Sequence, residues 1–351
     1  MSKPKIISLG FATPKYSYGQ REIFDALKYP QHFWRIFLDS GIEKRHFCVP
    51  LDRIKMLSFQ EQQETYQETA VALSKLAILD CLDGRDPKEI GLFISNTCTG
   101  YLPGPVLGHY LAREFGFSPS TYIMSNVGMG CDGGFPGIKR AFDFTYSTGR
   151  LSLTLAIELC SLTHFPEPDS KPDPTNHWEL LRSNALFGDG CSCALVGSDN
   201  ISRHPVIIDT ETNLDTRYLD DLGYTWVQGR LRVRLSKRVP FIAASLAKIV
   251  VEKLLNKHGL NLDMINHWII HPAGSGVLDR IKDNLGLSED KVALSREVLR
   301  NFGNTSSSST GIIGKFLLEK ERQPKGYCGV INIGPGMTSD MTLLKFGDES
   351  D

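Results

Sequence analysis

A strand–helix alternation that runs twice through the chain is its most constraining feature, because it dictates an α/β architecture. In the first pass, apolar residues at helical spacing cover residues 66–82, and 90–96 (IGLFISN) reads as a buried strand. A helix over 134–146 follows a glycine-rich loop, and strands are predicted at 151–158 and 191–197. The second pass keeps this order, with a helix over 241–257 and a strand at 265–270. A small-residue loop then opens a helix over 305–320, and strands follow at 328–333 and 341–346. Equivalent points are almost evenly spaced. Thr97 and His271 each end a strand, 174 residues apart, and Cys131 and Asn304 each precede a helix, 173 residues apart. The local text rhymes as well, GGFPGIKRAFDF against TGIIGKFLLEKE. We expect two pseudo-duplicated halves, residues 1–200 and 201–351, rather than a solenoid. The stretches 164–179, rich in proline and aspartate, and 209–229, polar and aromatic, read as surface excursions.

Composition narrows the function classes. Lys plus Arg number 39 and Asp plus Glu 40, a formal net charge of −1, so there is no electrostatic footprint for nucleic acid or an anionic membrane. The opening residues lack an apolar signal core and no long apolar run follows, so a cytoplasmic location is expected. Thiols are kept reduced there. Of the eight cysteines none forms a CxxC pair, and most should be small buried hydrophobes, with no metal site or disulfide framework.

Three residues can carry chemistry. Cys131 lies in Gly128-Met129-Gly130-Cys131-Asp132-Gly133-Gly134, directly before a helix. Glycines permit a tight turn, and a helix N-terminus favours thiolate, which makes this either a nucleophile or a buried structural cysteine. His271 stands where a buried strand meets a glycine-containing loop, a usual place for a residue that points into a cleft. Asn304 sits in the small-residue run Gly303-Asn304-Thr305-Ser306-Ser307-Ser308-Ser309. If the halves are related by a pseudo-twofold, these loops converge. A thiol, an imidazole and an amide then suit acyl transfer: attack, base or ion-pair partner, and oxyanion donors.

Longer runs carry a resemblance. They are Ser40-Gly41-Ile42-Glu43-Lys44-Arg45, Cys98-Thr99-Gly100, Glu158-Leu159-Cys160-Ser161-Leu162, Ala185-Leu186-Phe187-Gly188-Asp189-Gly190, His271-Pro272 and Gly334-Pro335-Gly336. In this order they resemble the thiolase-superfamily condensing enzymes, and specifically the chalcone/stilbene synthase-type (type III) polyketide synthases. The resemblance implies a thiolase-like five-layered αβαβα fold and a homodimer. It implies a Cys131–His271–Asn304 triad in which Cys131 takes an acyl group from a thioester. His271 and Asn304 would hold the carbonyl of a malonyl thioester during decarboxylation, and a Claisen condensation would follow. No cofactor is implied beyond acyl-coenzyme A or acyl-carrier-protein thioesters. Phe187 matches an aromatic gate, Leu102-Pro103 a loop reaching across the dimer interface, and Pro335 a loop lining the site. Thr163, Ser183, Val233, Ser306 and Arg35 fall at further substrate-binding positions. Two other readings stand beside this one: a ketoacyl synthase III-like single condensation giving a linear product, and a catalytically silent thiolase-fold partner subunit.

The sequence also departs from that family. A second aromatic gate falls at Val233, with Tyr224 and Trp226 near enough to refill its space. Asp132 replaces a small or apolar residue, and a carboxylate there raises the thiol pKa unless it turns away or is neutralised. Arg35 matches one phosphate-binding position, but His32 and Asp39 stand at two others. A carboxylate repels phosphate, so delivery by a carrier protein is expected for at least one substrate.

Overall fold

The computed structural model describes residues 3–54, 57–100, 104–164, 174–198, 204–227, 230–321 and 323–347. Its strands are β1 (Lys5–Ala12), β2 (Tyr16–Gly19), β3 (Lys44–Phe47), β4 (Ile90–Thr97), β5 (Tyr122–Val127), β6 (Leu151–Leu159), β7 (Asp189–Gly197), β8 (Val206–Leu214), β9 (Leu222–Val227), β10 (Arg230–Leu235), β11 (Ile265–Ile270), β12 (Gly326–Gly334) and β13 (Thr338–Phe346). The helices are α1 (Gln20–Leu27), α2 (Trp34–Leu38), α3 (Phe59–Leu82), α4 (Leu107–Phe115), α5 (Gly134–Thr148), α6 (Pro174–Leu186), α7 (Val239–Lys257), α8 (Ser275–Leu285), α9 (Glu289–Phe302) and α10 (Ser309–Lys320).

Nine strands join in the order β5-β4-β6-β7-β1-β8-β13-β12-β11. From the central pair β1 and β8 outward, the two sides mirror each other: β7 with β13, β6 with β12, β4 with β11. Pairing sense is mirrored too, since β4–β6 and β11–β12 are parallel whereas β6–β7 and β12–β13 are antiparallel. Every residue of β4 and β7 is buried, which explains their near-continuous apolar text: both faces of the sheet are covered.

Three apolar cores divide the layers. On the outer face of the first half, Ala70, Ala77 and Ile78 of α3 pack with Phe93, Leu153 and Leu155. On the outer face of the second, Ala247, Val250 and Val251 of α7 pack with Trp268 and Leu343. Between them, Ala141 of α5 and Ile312, Ile313 and Leu317 of α10 touch Ile94 and Val196 from one half-sheet and Ile269 and Leu344 from the other. Read across, the stack is helix, sheet, helix, sheet, helix: the expected αβαβα arrangement. The outer helix α3 is well started. Ser58 accepts from the Glu61 N–H while Glu61 reaches back to Ser58, a capping box that contributes about 1 kcal/mol.

Two sequence readings need correction. The excursion at 164–179 is shorter than expected, because α6 starts at Pro174, whose fixed φ suits a first helical turn; residues 165–173 lie outside the described residues. Residues 209–214 are not an insertion but the second part of β8, a strand of the main sheet. They read as loop because that part is only partly buried and therefore polar. The rest of the expected excursion includes β9, which pairs with β10 just beyond residue 229.

Candidate active site

Cys131 sits in a single tight helical turn, Gly130–Asp132, that leads into α5. Gly130 adopts φ +56°, and a Cβ there would lie 2.5 Å from Cδ of Pro335. A Cβ on Gly334 would lie 2.4 Å from Cβ of Asp132. Bare glycines on both sides therefore let the cysteine turn of one half nest on the 334–335 loop of the other. This is where the structure puts Pro335.

Asn304 follows α9 and is held by main-chain bonds on both sides of Phe187. Its N–H donates to the Leu186 carbonyl at 2.9 Å, and the Gly188 N–H donates to its own carbonyl at 3.0 Å. Its Oδ1 accepts from the Ser306 N–H at 2.8 Å, which turns the Nδ2 group toward the sulfur of Cys131, 4.0 Å away. Ser306 itself takes φ +53°.

His271 leaves the end of β11 with its N–H bonded to the Ile331 carbonyl of β12 at 2.9 Å. It is fully buried, and neither ring nitrogen has a hydrogen-bond partner among the described residues. Burial pulls its pKa down to about 3, so the ring is a neutral imidazole. No hydrogen bond joins it to Cys131. Burial pushes the Cys131 thiol up to about 12, with Glu158 and Asp132 adding to the rise and hydrogen bonds from Ser306 and Asn304 opposing it. The Asp132 carboxyl turns onto Asp340 of β13.

Behind the sulfur lies a polar network in which sequence reading gave no role to Glu158, Cys98 or Ser307, although it placed Ser306 at a substrate-binding position. Glu158, fully buried at the end of β6, accepts from the Cys98 N–H at 3.0 Å, Ser307 Oγ at 2.5 Å and Ser306 Oγ at 3.4 Å. Cys98 Sγ stands 3.5 Å from Ser306 Oγ and 3.6 Å from the Tyr224 hydroxyl. Burial raises the Glu158 pKa. A signal was present: a lone glutamate at the end of LSLTLAIEL is costly to bury without a task.

The wall beside the sulfur is apolar. Cys131, Cys160, Phe187, Val233, Leu235 and Val239 form one buried cluster, with Leu186, Leu222 and Tyr224 against it. Phe187 is fixed through its backbone. The Ser183 carbonyl accepts its N–H at 3.2 Å, and Arg45 Nη1 donates to its carbonyl at 2.7 Å. The Ser183 hydroxyl donates back to Leu180 within α6, and the Thr163 hydroxyl donates to the Cys160 carbonyl. Both are occupied by the main chain. A cavity of about 420 Å³ shares Leu186, Leu235 and Val239 with this wall and opens past Asp39, Trp178, Arg182, Lys237 and Gly274. Arg35 is exposed and ion-paired to Asp39 at 2.7 Å. Leu102 lies outside the described residues.

A cysteine at a helix start, an amide aimed at its sulfur and an apolar wall beside it form an arrangement suited to acyl transfer, on a thiolase-like fold. The comparisons agree. Residues 218–346 match the family model of chalcone and stilbene synthases, C-terminal domain. The chain is 30% identical to Type III polyketide synthase B of Arabidopsis thaliana over 301 residues, 79% of this chain and 72% of that protein. It is 29% identical to 3,5-dihydroxyphenylacetyl-CoA synthase of Streptomyces toyocaensis, over 98% of this chain and 90% of the relative. The crystal structure of 1,3,6,8-tetrahydroxynaphthalene synthase from Streptomyces coelicolor superposes with a TM-score of 0.88 at 23% identity, covering 99% of this chain and 100% of that one. The chain belongs to the type III polyketide synthases, the chalcone and stilbene synthase family, and is an acyl-transferring condensing enzyme. Neither a single-condensation ketoacyl synthase nor a silent partner subunit is favoured by these relatives.

Proposed function

We propose that Cys131 attacks an acyl thioester, releases the carrier thiol and keeps the acyl group as an enzyme thioester. His271 and Asn304 then donate to the carbonyl oxygen of a malonyl thioester. Carbon dioxide leaves, and its electron pair becomes an enolate on that oxygen, which fixed donors in a dry pocket stabilise. The enolate carbon attacks the acyl carbon, one carbon–carbon bond forms, and the Cys131 sulfur departs. No cofactor takes part in these steps. The observation that carries the reading is the Asn304 amide locked toward the Cys131 sulfur at 4.0 Å. Two unpartnered ring nitrogens on His271 support its donor role.

The cavity that runs from Asp39 and Arg182 to Leu186 is the route for the thioester arm, and its Leu186, Leu235 and Val239 belong to the cluster that holds Phe187 and Val233 beside Cys131. Arg35 spends its charge on Asp39, which supports delivery of at least one substrate on a carrier protein rather than on free coenzyme A. The working unit is a homodimer. Among the described residues β5 is an edge strand with an unpaired rim, and Tyr122, Val127 and Met129 nearby are exposed at 64%, 49% and 37%. The mirrored strand order supports the division into halves 1–200 and 201–351. Among the described residues no helix is long and apolar enough to cross a membrane, in keeping with a cytoplasmic enzyme.

The test is intact-mass spectrometry after incubation with matched coenzyme A and carrier-protein thioesters. An acyl adduct on Cys131, absent in Cys131→Ala, is expected, forming faster from the carrier-protein form. No adduct from either donor would overturn the nucleophile assignment. Faster loading from free coenzyme A would overturn carrier delivery alone.

A further inference from the structure

The residue directly after the nucleophile is a fully buried acid. Asp132 meets Asp340, itself buried on β13. Neither carboxyl oxygen of Asp132, nor Oδ1 of Asp340, has a donor among the described residues. Among the described residues no counter-charge acts on either carboxyl. β12 places Asn332 opposite Asp340, and β8 places Thr212 on its other side. Two ionisable groups face Asp132: Asp340, and the Cys131 thiol, whose pKa Asp132 helps to raise.

Two carboxylates in contact have no proton between them and repel in a low-dielectric site. One acid and one carboxylate instead make a short, strong hydrogen bond. The pair therefore keeps a proton at neutral pH, in agreement with the raised pKa of both acids. That proton links the cysteine turn of the first half to a strand of the second, one residue from the sulfur.

We propose that Asp132 is a positioning residue: the proton it shares with Asp340 clamps the Gly130–Asp132 turn onto β13 and so holds Cys131 against Asn304, and loss of that proton at alkaline pH releases the turn. The inference rests on Cys131 being the nucleophile.

The test uses the full chain and follows acyl loading of Cys131 by intact mass from neutral to alkaline pH. Wild-type loading should fall about tenfold on the alkaline side, the scale expected when a reacting atom is slightly misplaced. In Asp132→Asn and in Asp340→Asn an amide N–H donates to the remaining carboxylate at every pH, so that alkaline fall should disappear. Asp132→Leu, which offers no donor, should load about tenfold more slowly at neutral pH with the thioester KM unchanged. The clamp is refuted if wild type shows no alkaline fall or if both Asn variants keep it. Wild-type loading by a Leu variant that circular dichroism shows to be folded refutes it too. Should that variant not fold, the Asn profiles decide. Absence of any adduct on wild-type Cys131 would instead remove the nucleophile reading on which the clamp depends.

Discussion

Asn304 Nδ2 stands 4.0 Å from Cys131 Sγ, although 173 residues separate the two in the chain. The amide is held there by its Oδ1 bond to Ser306, so its N–H groups are aimed before any substrate arrives. Preorganised donors of this kind stabilise a developing oxyanion. Replacing Asn304 or His271 by Ala should slow malonyl-thioester decarboxylation by about a hundredfold or more, while acyl loading falls much less. Radiolabelled carbon dioxide release, read beside adduct formation, separates the two. A variant that loses loading alone would reverse the roles given to these residues.

The sulfur's titration offers a second check. Burial drives Cys131 up to about 12 and His271 down to about 3, so each alone is neutral near pH 7. A proton passed from sulfur to imidazole makes an opposite-charge pair, which favours thiolate. Iodoacetamide labelling of wild type should therefore have its midpoint well below that of His271→Ala, by about 1–3 pH units. The sign follows because removing the acceptor leaves burial as the dominant influence, and burial raises a thiol. Equal midpoints would exclude the imidazole as the thiol's partner.

Arg45 ties the site to the core. It is fully buried, donates to the Phe187 carbonyl, and burial lowers its pKa to about 9 while Asp189 opposes that fall. Its stem packs where a Cβ on Gly303 would lie, 2.8 Å from its Cγ. Arg45→Met leaves the carbonyl unpaired and the buried Asp189 without a compensating charge. A loss of about 3 kcal/mol is expected in urea unfolding. A change under about 0.5 kcal/mol would show that the guanidinium holds nothing in place.

Val233 lies in the same buried cluster as Cys131 and Phe187. Val233→Phe adds ring volume to that wall, so long acyl starters should be excluded and products shortened. Phe187→Ala opens the wall in the opposite sense. Product masses from a panel of acyl thioesters report both. Identical product ladders from all three proteins would show that this wall does not set chain length.

Gly130 meets two demands at once, a left-handed φ of +56° and close approach to Pro335. Gly130→Ala should therefore cost about 1–3 kcal/mol in stability and slow acyl loading. A variant with wild-type Tm and loading would mean that the turn relaxes freely.

Sequence reading found the strands whose two faces are both covered. β4 and β7 are written as near-continuous apolar runs because every residue in them is buried. It missed β5, whose YIMSNV residues stand partly exposed and lack a clean alternation. Cys131, His271 and Asn304 stood out because each ends or opens an element beside small residues. The Glu158–Cys98–Ser307 network did not, because each member gains its role from a partner 60 to 149 positions away. Asp132 was visible as a departure, but its answer is Asp340, and no local pattern joins the two. Ser183 shows the reverse case: its position was noted, yet its hydroxyl stays within its own helix and its carbonyl fixes Phe187.

The apolar wall of Cys160, Phe187 and Val233 contributes bulk, whereas Asn304 and His271 contribute directed polar groups. In the proposed mechanism shape and reactivity therefore rest on separate side chains. A lineage with this pocket is free to drift in the molecules it builds, one wall residue at a time, while the bond-making step stays as it was.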